Sequence, residues 1–411
     1  MPQRIEPDGL AAVLPPGGLT LVSACSAEST VLADAVMAAG DALGPMTFSG
    51  IFVGGLNRQT WLANDRCRVL TFFLTPELRA VADRVEFLPL CYRDILAELR
   101  RRKPAAALFM CSPPDADGMC SFGTEVAFIA DMWRDVPVRI AHINPLMPRT
   151  SGDPGIPFAS LTAYIDAGQP LACLPAAPAD ATAAAIAGHV APFVRDGATI
   201  QTGLGKIPDA VLRALVDRRA LRIHTGLIGD GVLALMESGA ISDPGAATVG
   251  VAIGSERLYA ALGDPVFRFR PVSVTHGQDI LSTIDDLVTI NSAIEVDLFG
   301  QAYAELTPKG LMSGPGGASD FARGARNGGV RIVALPSDAA NGQIARIVTP
   351  GRANGPVSLG RMDIDVVVTE HGAADLRALT YEARAQALIA IAPPAHRDRL
   401  HAEWADYSKR L

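Results

Sequence analysis

Two glycine-bearing turns carry the first sign of chemistry. In Gln201-Thr202-Gly203-Leu204-Gly205-Lys206-Ile207-Pro208-Asp209-Ala210-Val211 an apolar run ends in glycines and a helical pattern begins. Glycine lets the backbone approach a ligand, and a helix start offers unpaired N–H groups to an anion or a carbonyl oxygen. Lys206 adds a charge suited to phosphate, and Pro208 falls in the first helical turn, where its missing N–H costs nothing. Gly203, Leu204, Gly205, Lys206 and Ile207 are therefore candidate ligand-binding residues; a tight strand-to-helix turn with no ligand is the competing reading. The second turn is Ser313-Gly314-Pro315-Gly316-Gly317-Ala318-Ser319-Asp320-Phe321. Glycines ahead of a helix can aim backbone N–H groups at a developing oxyanion, which marks Gly314, Gly316 and Gly317. A flexible surface turn is the alternative here.

The elements that must position these turns alternate along the chain. Residues 19–23, 106–110, 331–335 and 364–369 are apolar runs bounded by turn residues, and a helical stretch covers about residues 29–39. Strands buried on both faces have this pattern, and their alternation with Ala/Leu-rich helices predicts α/β architecture with mainly parallel sheets covered by helices. Gly18-Leu19-Thr20-Leu21-Val22-Ser23 and Gly197-Ala198-Thr199-Ile200-Gln201-Thr202 both lead through small residues into a helix, a weak internal repeat. Between them lies the linker Leu174-Pro175-Ala176-Ala177-Pro178-Ala179-Asp180. The expectation is two similar open α/β domains, residues 1–180 and 181–411, with a cleft between them.

A chain of 411 residues is long for one core, and 49% hydrophobic against 19% charged residues suits much buried surface and a homodimer or higher homo-oligomer. The net charge of -7 argues against nucleic acid or an anionic membrane as the main partner. Arg100, Arg101, Arg102 and Lys103 read as a solvated helix end. The six cysteines show no metal-ligand spacing and read as reduced thiols, so no metal is expected. The start of the chain lacks a signal-like apolar segment, and no stretch is long and apolar enough to cross a bilayer. A cytoplasmic protein is expected.

Taken together, the motifs resemble the acetyl-CoA hydrolase/transferase family, in particular its 4-hydroxybutyrate CoA-transferase-like members. The resemblance covers nearly the whole chain. It rests on Ser112-Pro113-Pro114-Asp115 with Gly118, and on Asn144-Pro145-Leu146-Met147-Pro148-Arg149-Thr150 with Gly152-Asp153. Further along come residues 203–211, Asp230-Gly231-Val232, residues 290–301, residues 314–321 and Val368-Thr369-Glu370-His371-Gly372. It implies a CoA-transferase-like fold with an acyl-CoA substrate in the interdomain cleft, near residues 203–207 and the loop at 314–317. Coenzyme A then enters as part of the substrate, with no tightly bound cofactor. Loops such as residues 50–57 would shape the acyl pocket.

In the transferases of this family a glutamate attacks the thioester, and such covalent intermediates divide one hard exchange into easier steps. The glutamate follows a strand as His-Thr-Glu, shortly before Asp-Gly-Val. This chain reads Ile223-His224-Thr225-Gly226-Leu227-Ile228-Gly229-Asp230-Gly231-Val232. Gly226 has no side chain to accept an acyl group. Two further departures are His142, where relatives carry Gln, and Glu125, where they carry a small residue. Glu125 and His142 are expected to act as general base and polar partner, with Gly316 or Gly317 holding the oxyanion. The other readings are a core histidine and a helix-entry charge.

The resulting activity would be thioester hydrolysis, or hydrolytic carbon–carbon cleavage of a β-oxo acyl-CoA. The alternatives are a CoA-transferase using Glu125 or Glu295 instead, and a non-catalytic CoA-ester binder. Glu295 and Asp297 alternate with apolar residues and read as the polar face of a strand. His224 and His276 read as structural or cleft-lining.

Overall fold

The computed structural model describes every residue except Ala176, Ala177, Ala179 and Asn341. Three of the linker residues expected between the halves therefore lie outside the described residues.

The first sheet is built from β1 (Gln3–Arg4), β2 (Leu19–Val22), β3 (Thr47–Ser49), β4 (Arg68–Thr71), β5 (Val85–Phe87), β6 (Ala106–Cys111), β7 (Val138–Ile143) and β8 (Ala163–Asp166). Its order is β1-β8-β7-β6-β2-β3-β4-β5, with every pairing parallel. β2 and β6 are buried at every position, which explains their unbroken apolar character. The helix Thr30–Ala39 buries Leu32, Ala33, Ala35 and Val36, and the Ser29 hydroxyl accepts the Leu32 N–H as its N-cap. Such a cap contributes about 1 kcal/mol.

The second sheet contains β9 (Thr199–Thr202), β10 (Arg222–Ile228), β11 (Ala247–Ala252), β12 (Phe267–Phe269), β13 (Leu287–Ser292), β14 (Val330–Ala334), β15 (Val366–Thr369) and β16 (Gly372–Asp375). Its order is β12-β11-β10-β9-β13-β14-β15-β16. The same pattern of outward steps and one return recurs in both sheets, with β2 matching β9 and β6 matching β13. The repeat seen at residues 18–23 and 197–202 thus marks the same strand in each sheet. The outermost pair differs: β16 folds back antiparallel on β15, whereas β1 runs parallel to β8. In each sheet the chain reverses its direction of travel beside β2 or β9, and ligands of open α/β sheets bind beyond the carboxyl ends of strands at such points.

By packing, the chain forms two compact units. One comprises Met1–Pro175, Gly226–Asp230 and Asp243–Thr275; the other comprises Ala176–Thr225, Gly231–Ser242 and His276–Leu411. The units therefore differ from contiguous halves divided at residue 180. Backbone hydrogen bonds within the first unit give the reason: Val126 N–H donates to Gly250 O, Ala252 N–H to Thr124 O, and Phe269 N–H to Ser151 O. Pairing of distant segments is invisible to a boundary drawn from linker composition. Among the described residues no helix is long and apolar enough to cross a membrane.

Candidate active site

Within the first unit, Glu125 sits just ahead of the helix Ala127–Met132 and forms a bridge with Val251. It is only 6% exposed, and its Oε2 accepts the Ala24 N–H at 2.8 Å. Burial pushes its pKa up to about 8, with the nearby Glu28 charge adding to the rise. It lines a cavity of about 30 Å³ together with Ser23, Ser49, Gly50 and the apolar side chains of Phe72 and Phe128. The carboxyl is desolvated as well as placed at a helix entry, an environment of the kind that also tunes acid–base groups.

The turn carrying Ala24 is strongly constrained. Cys25 adopts a left-handed conformation (φ 46°), uncommon for a residue with a side chain. Asn57 holds it there: its Oδ1 accepts the Cys25 N–H at 3.1 Å and its Nδ2 donates to Cys25 O at 2.9 Å. Of the expected acyl-pocket loop, Gly50 and Ile51 line the cavity, while Asn57 braces the turn. Nothing in the sequence distinguished Asn57 from an ordinary loop asparagine.

His142 does not pair with Glu125, which corrects the expectation of a joint site. The histidine is fully buried in β7, with Nδ1 2.9 Å from Ser29 Oγ and Nε2 2.9 Å from Ala167 O. Because Ala167 O can only accept, Nε2 carries the proton and Nδ1 accepts the Ser29 hydroxyl. Burial lowers the His142 pKa, so the ring stays neutral. It fastens the cap of the helix Thr30–Ala39 to the sheet, and both of its nitrogens are engaged.

The family-like motifs of this unit form a brace. Arg149 Nη1 donates to Ser112 Oγ at 3.0 Å, Pro113 O at 3.1 Å and Met119 O at 3.1 Å, and Arg149 ion-pairs with Asp115. Asn144 Nδ2 donates to Gln169 O at 2.7 Å. These residues hold the loops around residues 112–121 and 144–150 in register, and the segment leading to Glu125 hangs from them: Ser121 N–H donates to Ser112 Oγ at 2.9 Å.

In the second unit, Leu204, Gly205, Lys206 and Ile207 line a pocket of about 380 Å³ with Ser292 and Glu370. It lies beyond the carboxyl ends of β9, β13 and β15, where the fold predicts a ligand. Gly205 is the N-cap of the helix Lys206–Ala214, with φ 118°, a conformation that favours glycine. Lys206 Nζ is 3.3 Å from Asp180 Oδ2 on the exposed rim. Gly203 is exposed next to this pocket but does not line it, and neither do Gly314, Gly316 and Gly317.

The second glycine turn packs on His276. A Cβ on Gly317 would stand 2.5 Å from His276 Nε2, and the His276 ring lies 4.7 Å from that of Phe321. Burial, with the neighbouring His224, pushes the His276 pKa down to about 3, so the imidazole is neutral. Gly317 is also the N-cap of the helix Ala318–Gly324.

The strand Glu295–Asp297 is buried throughout, which corrects the expected polar face. Tight pairing makes this tolerable. Glu295 accepts Asn354 N–H at 2.7 Å, and Asp297 accepts the Phe299 and Gln301 N–H groups and the Tyr303 hydroxyl at 3.0 Å. Glu295 thus has a structural role that leaves it poorly suited as a replacement nucleophile. Gly226 occupies β10, partly exposed. None of the six cysteines is in a disulfide; Cys173 is exposed and the others are buried.

Mainly parallel sheets that share one strand order apart from the outermost strand, each with a polar feature at the carboxyl ends of its reversal strands, define a CoA-transferase type of α/β fold. The family profile "Acetyl-CoA hydrolase/transferase C-terminal domain" matches residues 254–404. The 4-hydroxybutyrate coenzyme A transferase of Clostridium kluyveri is 35% identical over 332 residues, covering 78% of this chain and 77% of the relative. Among solved structures, RipA from Yersinia pestis superposes with a TM-score of 0.92 at 27% identity, covering 99% of this chain and 98% of that one. A 4-hydroxybutyrate CoA-transferase from Porphyromonas gingivalis gives a TM-score of 0.81 at 29% identity, covering 99% and 97%. The chain belongs to the acetyl-CoA hydrolase/transferase family.

Proposed function

We propose that this protein hydrolyses an acyl-coenzyme A, with water taking the acyl group that transferases hand to a glutamate. The observation that carries the reading is Gly226: the position where the family motif has its glutamate offers no carboxylate. Glu125 supplies the base. With a pKa of about 8, roughly a tenth of it is ionised at pH 7, and that fraction is a stronger base than an ordinary carboxylate. It takes a proton from water, whose oxygen bonds to the thioester carbonyl carbon. The carbon–sulfur bond then breaks, and Glu125 returns the proton to the departing thiolate, leaving a carboxylic acid and free coenzyme A. Gly316 and Gly317 keep the oxyanion role expected of backbone N–H groups ahead of a helix, and residues 203–207 the CoA-ester binding that the resemblance implies. Coenzyme A arrives with the substrate and is not a resident cofactor. The setting is cytoplasmic, as a homodimer or higher oligomer, a reading supported by the scattered cysteine spacing and the apolar composition.

Transfer to a second carboxylate is the competing reading, favoured by the C. kluyveri relative's being a transferase. A panel of acyl-CoA esters, assayed for free thiol with and without a carboxylate acceptor, separates the two. Hydroxylamine or borohydride trapping with mass spectrometry runs alongside. Expected are thiol release without acceptor, no modified glutamate, and a fall of about 100-fold or more in Glu125→Gln. Turnover only with acceptor, or a trapped glutamyl thioester, overturns hydrolysis. Binding without turnover across the panel would leave a CoA-ester binder.

A further inference from the structure

The cavity beside Glu125 contains a second polar group that the hydrolytic reading has not used. Ser49 closes β3, is 1% exposed, and its Oγ has no hydrogen-bond partner among the described residues. Thr20, Trp61, Glu77 and Arg139 also carry buried polar atoms without a partner in this unit, yet none of them lines the cavity. Ser49 does, together with the apolar side chains of Leu21, Ile51, Phe72 and Phe128.

A buried hydroxyl with no partner is costly, and native structures satisfy such groups with protein or with ordered water. About 10–15 Å³ is enough to seat one water, provided two or more polar groups can bond it. The cavity measures about 30 Å³ and offers two, Ser49 Oγ and the Glu125 carboxyl. Its neighbouring hydroxyl, Ser23 Oγ, is already taken, donating to Ala27 O at 3.0 Å and accepting Met110 N–H at 3.0 Å. The apolar walls leave a guest no other polar partner among the lining side chains, which suits one water and not a polar ligand.

We propose that Ser49 and Glu125 together hold one water molecule in this cavity, and that Ser49 positions it as the water from which Glu125 draws its proton. The second half of the statement rests on the hydrolytic reading. Ser49 acts through the water and is a positioning residue. Its hydroxyl fixes the oxygen while the carboxylate faces a water proton. The turn at residues 24–25 also holds the carboxylate, through the Ala24 N–H.

Two measurements test this. A high-resolution crystal structure of the full chain should show one ordered water within hydrogen-bond distance of both Ser49 Oγ and a Glu125 oxygen. A dry cavity, or a water bonded to neither group, overturns the site. In Ser49→Ala, kcat for thiol release should fall about tenfold with KM unchanged, and the alkaline rise of kcat should move to higher pH, because the carboxylate loses a water-borne hydrogen bond. A purely structural role for Ser49 would not move the pH profile. Wild-type kcat with an unshifted profile overturns the positioning role. If the unaltered protein releases no thiol from any ester, hydrolysis itself fails, and the diffraction result still decides the water site.

Discussion

The Ala24 N–H donates to Glu125 Oε2 at 2.8 Å, joining residues 101 positions apart. The bond ties the exit of β2, held in a left-handed turn at Cys25, to a carboxyl that burial would otherwise leave unsolvated. A single backbone donor only partly offsets desolvation, so the acid stays largely protonated at neutral pH.

This arrangement has a stability cost that depends on pH. Below about pH 4.5 the folded and unfolded chains both hold the proton. Above it the unfolded carboxyl ionises while the folded one does not, so stability falls as pH rises, until about pH 8, and then levels. Glu125→Gln keeps an oxygen for Ala24 and removes the titration. Its stability should match wild type near pH 4.5 and exceed it by about 2–4 kcal/mol at pH 8, a discounted linkage value. Urea midpoints at several pH values check this, and parallel curves would contradict it.

Turnover should follow the same carboxyl. Thiol release should climb with pH through neutrality and reach a plateau above about pH 8, where Glu125 is ionised. The residual rate of Glu125→Gln should lack that rise. A wild-type profile already flat from pH 5 would remove Glu125 from the role of base.

For His142 the expected effect is on folding and not on chemistry. His142→Ala removes the bonds to Ser29 and Ala167 and opens a void, so about 2–4 kcal/mol of stability should be lost. The midpoint of the pH–rate profile should stay in place. A shift of that midpoint would restore His142 to the acid–base machinery.

Gly317 and His276 should behave as a coupled pair. Gly317→Ala places a methyl 2.5 Å from His276 Nε2, so the ring or the turn must move. About 1–3 kcal/mol of destabilisation is expected, as for overpacking elsewhere. Adding His276→Ala should recover part of it, a non-additivity that a double-mutant cycle measures. Strict additivity would show that the contact does not constrain the turn.

The letters of the chain carried the α/β class, the repeat and the family. Those features are local: apolar runs bounded by glycine and small residues at residues 18–26 and 197–208 need no knowledge of what packs against them. Gly226 was legible in the same way, because the residue at a single position is read from the sequence alone. Tertiary structure decided what the remaining candidates do. Sequence reasoning marked Glu125 and His142 together, as base and polar partner. Folding gave Glu125 a cavity and one backbone donor, and gave His142 two partners that use up its ring. Ser49, Asn57 and His276 acquire meaning only through neighbours distant in sequence. Burial and hydrogen-bond satisfaction are set by segments converging in space, so no spacing along the chain encodes them.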